Sequence, residues 1–170
     1  MKTILQQNIA ALSQGEALLL QISDEVFNKM VTAVFDSTIG THIRHNLDHY
    51  NCFLSGLNNG RIDYAARARD PQIEEDRGYA LTEINRLRIA LETLQDRHYY
   101  PHVSVECDVS PGLALSSVQR ELEFLLSHTV HHYAIVAIIC RLQGILIDDE
   151  FGVAPSTLHY REDQLLQCVH

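Results

Sequence analysis

From residue 2 to 22 the chain places Ile4, Leu5, Ile9, Leu12, Leu18, Leu19 and Ile22 at close to helical spacing, which predicts a first long helix. "SDEVF" restarts the pattern, with Ser23 as N-cap and acids in the first turn. "DSTIGTHIRHNLDHYNCFLSGLNNG" predicts a second long helix, capped near Ser37 or Thr38 and stopped by the Asn-Asn-Gly run. "RIDYAARARD" is read as a polar connection. A third helix is expected over 70–94, with Asp70 as cap, Pro71 at its first position and Glu74 and Glu75 at its positive end. "HVSVECDV" alternates with period two and is followed by "SPG" and "LALS", which predicts a short β-hairpin between the third and fourth helices. Ser116 or Ser117 then caps a fourth helix that runs to Gly144, and the tail "ILIDDEFGVAPSTLHY" reads as turn-rich chain packed over one end. Four long helices with short or moderate connections predict an all-α fold, a four-helix bundle formed by residues 1–170 as a single domain.

Composition narrows the function classes. A 170-residue chain with 46% hydrophobic and 21% charged residues can bury a core without covalent staples. The net charge of −9 argues against a nucleic-acid partner, which would call for a basic stripe. No run of eighteen apolar residues is present, so no membrane span is expected. Gln6, Gln7, Asn8, Ser13, Gln14 and Glu16 interrupt any apolar leader at the N-terminus, which is read as mature structure. Cys52, Cys107, Cys140 and Cys168 are widely separated, which points to reduced thiols and a cytoplasmic location. The compositional excess is in histidine. Six of the ten fall in two clusters, at 42, 45 and 49 and at 128, 131 and 132.

On a helical wheel His128 and His132 lie about 40° apart, with Phe124, Ile135, Ile139 and Leu142 nearby, while His131 falls about 60° to one side. The spacing therefore places His128 and His132 in the middle of a buried face, one turn apart, where two imidazoles can reach one metal ion. Glu121, two turns earlier, is placed to orient one of them or to approach the metal. A third ligand would come from the second helix, where His42, His45 and His49 share a stripe about 60° wide, with Asp48 at its edge as an acceptor for a ligand's ring N–H. The apolar stripe there (Ile43, Tyr50, Leu54, Leu57) leans towards His42 and His49, so the wheel leaves all three open. A hydrogen-bonded histidine network with no metal would use the same residues.

"STIGTHIRH" resembles the S-I-G-x-x-x-x-H opening of the second helix in the DinB/YfiT-like metal-binding bundles, and "HTVHHYAIVAII" resembles their H-x-x-H-H-R-G-Q-I segment. The likeness spans residues from about 15 to 145. It implies a four-helix bundle with a divalent metal on His45, His128 and His132, with His49 as the alternative ligand. The family includes thiol-dependent transferases and an isomerase that uses a low-molecular-weight thiol. Tyr133, Ala134 and Ile135 stand where the family has Arg-Gly-Gln, so no role of that arginine carries over. The resemblance implies a metal-dependent enzyme of thiol S-transferase or hydrolase type, acting on a small molecule, with a homodimer as the expected assembly. Nitrogen ligands suit Zn or Ni first, with Fe or Cu also compatible. Glu121, Tyr133 and His131 are the candidate catalytic acids or bases. The alternative is a non-catalytic bundle that binds a metal or small ligand in a stress response.

Overall fold

The computed structural model describes residues 3–94, 102–106 and 112–167. The described residues are mostly helical, with a small three-stranded sheet. The helix α1 (Ile4–Gln21) begins at a Thr3–Gln6 capping box, in which each side chain accepts from the other's backbone N–H. The short α2 (Asp24–Asn28) is capped by Ser23, and α3 (Ile39–Leu57) by Thr38. Asp70 caps α4 (Pro71–Glu75), α5 covers Arg77–Leu94, and Ser117 caps α6 (Val118–Leu142). The described residues end in α7 (Pro155–Gln167).

Three expectations about secondary structure need correction. The single helix expected over 70–94 is two, because Asp76 leaves the helical region (φ −113°, ψ 103°) and starts again as a cap. Its carboxylate accepts from the Tyr79 N–H and its carbonyl from the Ala80 N–H. The hairpin strands β2 (His102–Glu106) and β3 (Leu113–Ser117) pair antiparallel as expected, although residues 107–111, the end of the expected first strand and most of its turn, lie outside the described residues. A third strand, β1 (Arg61–Asp63), pairs parallel with β2 and comes from the segment read as a polar connection. Only Ile62 marks it, fully buried between two polar residues, too short a run for an alternating signal. The tail, read as turn-rich, closes with a 13-residue helix.

Four of the helices are long, and α1 and α3 each pack against both α5 and α6. Close approach depends on small residues: a Cβ at Gly15 would stand 2.1 Å from the Tyr133 hydroxyl, and one at Gly40 would stand 2.0 Å from the Glu74 carbonyl oxygen. Within the core, α1, α3 and α6 are tied by a buried polar chain. The Tyr50 hydroxyl donates to Asn8 Oδ1 (2.8 Å) and accepts from Thr129 Oγ1 (3.2 Å), while Asn8 Nδ2 donates to the Ile4 and Leu122 carbonyls. Among the described residues α6 alone is long and apolar enough to cross a membrane by length and composition, but α1 and α3 pack against it.

The inward line of α6 is turned from the one the wheel suggested, and the two share the fully buried Ile139. It runs through Leu122, Leu125, Thr129, Tyr133, Val136 and Cys140, all buried. His128, His132, Phe124 and Ile135 are half-buried at its edge, and Leu142 is exposed. The histidines thus sit where the core meets the surface.

Candidate metal centre

Because α3 and α6 pack together, their histidine clusters face each other. The ligand nitrogens of His45, His49 and His128 all lie within 4.8 Å of one another. Ring centroids are 4.6 Å apart for His45 and His49, 4.2 Å for His49 and His128, and 5.0 Å for His45 and His128. His132 adjoins the same group, 4.6 Å from both His45 and His128. So the structure brings together His45, His128 and His132 and also the alternative, His49. The tightest grouping of donor atoms contains His49 rather than His132.

The rings of His45, His128 and His132 are electron-pair donors at neutral pH. Burial, then the charges of neighbouring imidazoles, holds His45, His128 and His132 down to about 3. The Arg67 guanidinium adds to the effect at His45 and His128. Burial, then His131, lowers His42 as well. His49 donates from Nδ1 to the His45 carbonyl (2.8 Å), since a carbonyl can only accept, and this leaves a lone pair on its Nε2. His128 Nε2 is buried without a hydrogen-bond partner. A buried ring nitrogen left unmatched beside two other imidazoles is what a divalent ion would satisfy.

Aromatic rings wall the centre. Tyr64 stacks on His49 at 5.5 Å, and Phe124 lies 5.5 Å from His128 and 5.2 Å from Tyr64. Arg120 covers the outer face of Phe124. Tyr64 comes from the segment read as a polar connection, and its hydroxyl donates to Glu121 (2.9 Å). Glu121 is almost fully buried and also accepts from Ser116 and Arg120. Its connection to the cluster runs through the Tyr64 ring, which stacks on His49.

The other candidates lie elsewhere. Tyr133 faces the opposite side of α6, with its hydroxyl against Gly15 and its ring stacked on Phe151 at 4.8 Å. His131 is exposed, its ring edge-on to His132 at 5.1 Å. Asp48, expected to receive a ligand's ring N–H, instead accepts from Arg44 (3.0 Å) and the Arg69 N–H (3.3 Å). His42 bonds His132 through facing Nδ1 atoms (2.9 Å) and reaches Ser37 Oγ from Nε2 (3.0 Å). Sequence reasoning missed Tyr64 and Ser37. The first comes from a loop without periodicity, and the second was read only as a possible helix cap.

No family model matches the chain. Among curated proteins it is similar to "FK506-binding protein 5" of Rhizopus delemar, 30% identical over 108 residues, which cover 61% of this chain. The chain spans 28% of the length of that relative.

Proposed function

We propose that this chain is a DinB/YfiT-like four-helix bundle that uses a divalent metal to activate a thiol or a water, as a thiol transferase or hydrolase does. The observation that carries this reading is the convergence of the His45, His49 and His128 nitrogens, with His128 Nε2 left unpartnered. His45 and His128 belong to both candidate ligand sets; His49 completes the closer one and His132 the one the resemblance implies. A bound Zn or Ni ion supplies Lewis acidity and lowers the pKa of a coordinated thiol or water. The protein's own part is to hold neutral imidazoles still, with Tyr64 and Phe124 excluding water on one side. Cys140, a thiol buried in the core, fits a reducing compartment.

A second reading is a non-catalytic metal-binding bundle, favoured by the presence of four imidazoles, enough to close a tetrahedral shell and leave no open position. Metal analysis of protein purified without a histidine tag is the first test. About one divalent ion per chain is expected, lost in His128→Ala and kept in His131→Ala; a metal-free wild type after reconstitution refutes both readings. A screen of glutathione, bacillithiol and mycothiol with electrophiles separates them, since turnover that tracks metal content requires catalysis.

A further inference from the structure

Ser37 ends a loop in which Phe35 and Asp36 both take left-handed backbone angles (φ 52° and 46°), uncommon for residues other than glycine. The Phe35 side chain is exposed, so packing does not explain the conformation. The loop closes on itself, the Val31 N–H donating to the Ser37 carbonyl (2.9 Å) and the Ser37 N–H to the Val34 carbonyl (3.2 Å). Its effect is to hold the buried Ser37 Oγ 2.5 Å from the Val34 carbonyl oxygen and 3.0 Å from His42 Nε2.

Those contacts fix the direction of every proton along the chain. A carbonyl oxygen only accepts, so the Ser37 hydroxyl proton points at Val34. Ser37 Oγ then accepts from His42, whose Nε2 must carry a hydrogen. In a neutral ring that leaves a lone pair on His42 Nδ1. The 2.9 Å contact between the Nδ1 atoms of His42 and His132 holds one proton, which therefore belongs to His132. With Nδ1 protonated and committed to His42, His132 has Nε2 as its one lone pair.

We propose that Ser37 and His42 are positioning residues: a directed chain from His132 through His42 and Ser37 to the Val34 carbonyl fixes the His132 tautomer and reserves its Nε2 as a metal donor beside His45 and His128. The second half rests on the metal reading above; the first half does not. The role matches that of the acceptors that orient metal-bound histidines, with an imidazole in place of the usual carboxylate.

Long-range proton–nitrogen NMR on the metal-free protein tests the chain directly. His132 is expected to have a protonated Nδ1 and a pyridine-like Nε2, and His42 the reverse. Ser37→Ala removes the link without altering a ring and is expected to mix the two tautomers. His42→Phe removes the acceptor for His132 and is expected to weaken zinc binding on the order of 10–100-fold. His42→Asn, which keeps an acceptor near the old Nδ1 position, is expected to recover most of that loss. A wild-type His132 protonated at Nε2 overturns the proposal, as does His42→Phe binding zinc within twofold of a wild type that binds it. If the wild type takes up no zinc, the metal reading falls, and the metal-free tautomer alone decides the chain. If His42→Phe does not fold, Ser37→Ala and His42→Asn decide it.

Discussion

Replacing Tyr50 with Phe removes one oxygen from the centre of the molecule and leaves the ring where it is. Tyr50 is fully buried, and burial pushes its phenol well above the usual range, so its hydroxyl stays a donor throughout the neutral region. The substitution strips Asn8 Oδ1 of its donor, while Asn8 Nδ2 keeps its two carbonyls. It also strips Thr129 Oγ1 of an acceptor, but a helical threonine hydroxyl can turn back to the carbonyl one turn earlier. One buried acceptor without a partner costs about 1–3 kcal/mol, and the Thr129 arm adds little. A loss of about 2 kcal/mol is therefore expected, or about 4–8 °C in Tm for a domain of this size. Urea unfolding measures it, with an unchanged denaturant slope as the sign that the native state is intact. Thr129→Val, which leaves the bond to Asn8 in place, is expected to cost under about 1 kcal/mol. A Tyr50→Phe protein within about 0.5 kcal/mol of wild type would refute the reasoning, as would one less damaged than Thr129→Val. Tyr50 follows His49 and Thr129 follows His128, so the same clamp sets the spacing between the two histidine-bearing helices.

Further outcomes follow from other contacts. Tyr64→Phe takes a donor from the buried Glu121 carboxylate, which keeps Ser116 and Arg120; a loss of about 1.5–3 kcal/mol is expected in urea melts, and no loss would mean that water replaces the phenol. In metal-free protein the folded pKa of His45, His128 and His132, about 3, lies below the unfolded value near 6.5. Over that window the unfolded chain binds more protons, so stability is complete above about pH 6.5 and declines as pH falls towards 3. Denaturation midpoints from pH 7 to 5 should fall less in a His128→Ala/His132→Ala protein than in wild type; equal slopes would contradict the assignment. Gly40→Ala drives a methyl into the Glu74 backbone, which cannot rotate away, and should cost about 1–3 kcal/mol or more by thermal melting. Zinc at about 100 times its Kd should stabilise the wild type by about 2.7 kcal/mol, reversed by chelator and absent in His128→Ala.

The parts of the molecule that were legible in the sequence are those governed by local chemistry. Thr38, Asp70 and Ser117 cap the helices expected to start there, because a side-chain oxygen ahead of an apolar period serves the first free N–H groups wherever the helix packs. His131 was separable from His128 and His132 because helix geometry alone turns it outward. The rotation of α6 was not legible. Of the positions that the wheel weighted, Ile139 is fully buried, but Phe124, Ile135 and Leu142 are not, because the inward line passes through Thr129 and Tyr133, whose hydroxyls disguise core positions as polar ones. The Asp76 break was hidden because an aspartate inside an acidic run looks like one more first-turn acid. Tyr64 and β1 depend on pairing with β2, some forty residues further along, which no local pattern encodes. The choice among His42, His45 and His49 was open for a similar reason: all three face the cluster, and only their partners across the helix interface distinguish them.

His45 and His128 stand on helices that meet in space but are separated by ~80 residues of chain. A ligand gripping both would act as a cross-link over that loop, and by the loop-closure entropy that describes disulfides it would restrict the unfolded chain by about 4.5 kcal/mol. Such a cross-link forms only after α3 and α6 have found each other, so it would slow unfolding far more than it hastened folding. With an ion bound, the histidine cluster would double as a removable staple, and the lifetime of the native state would be set by whatever controls the supply of ions.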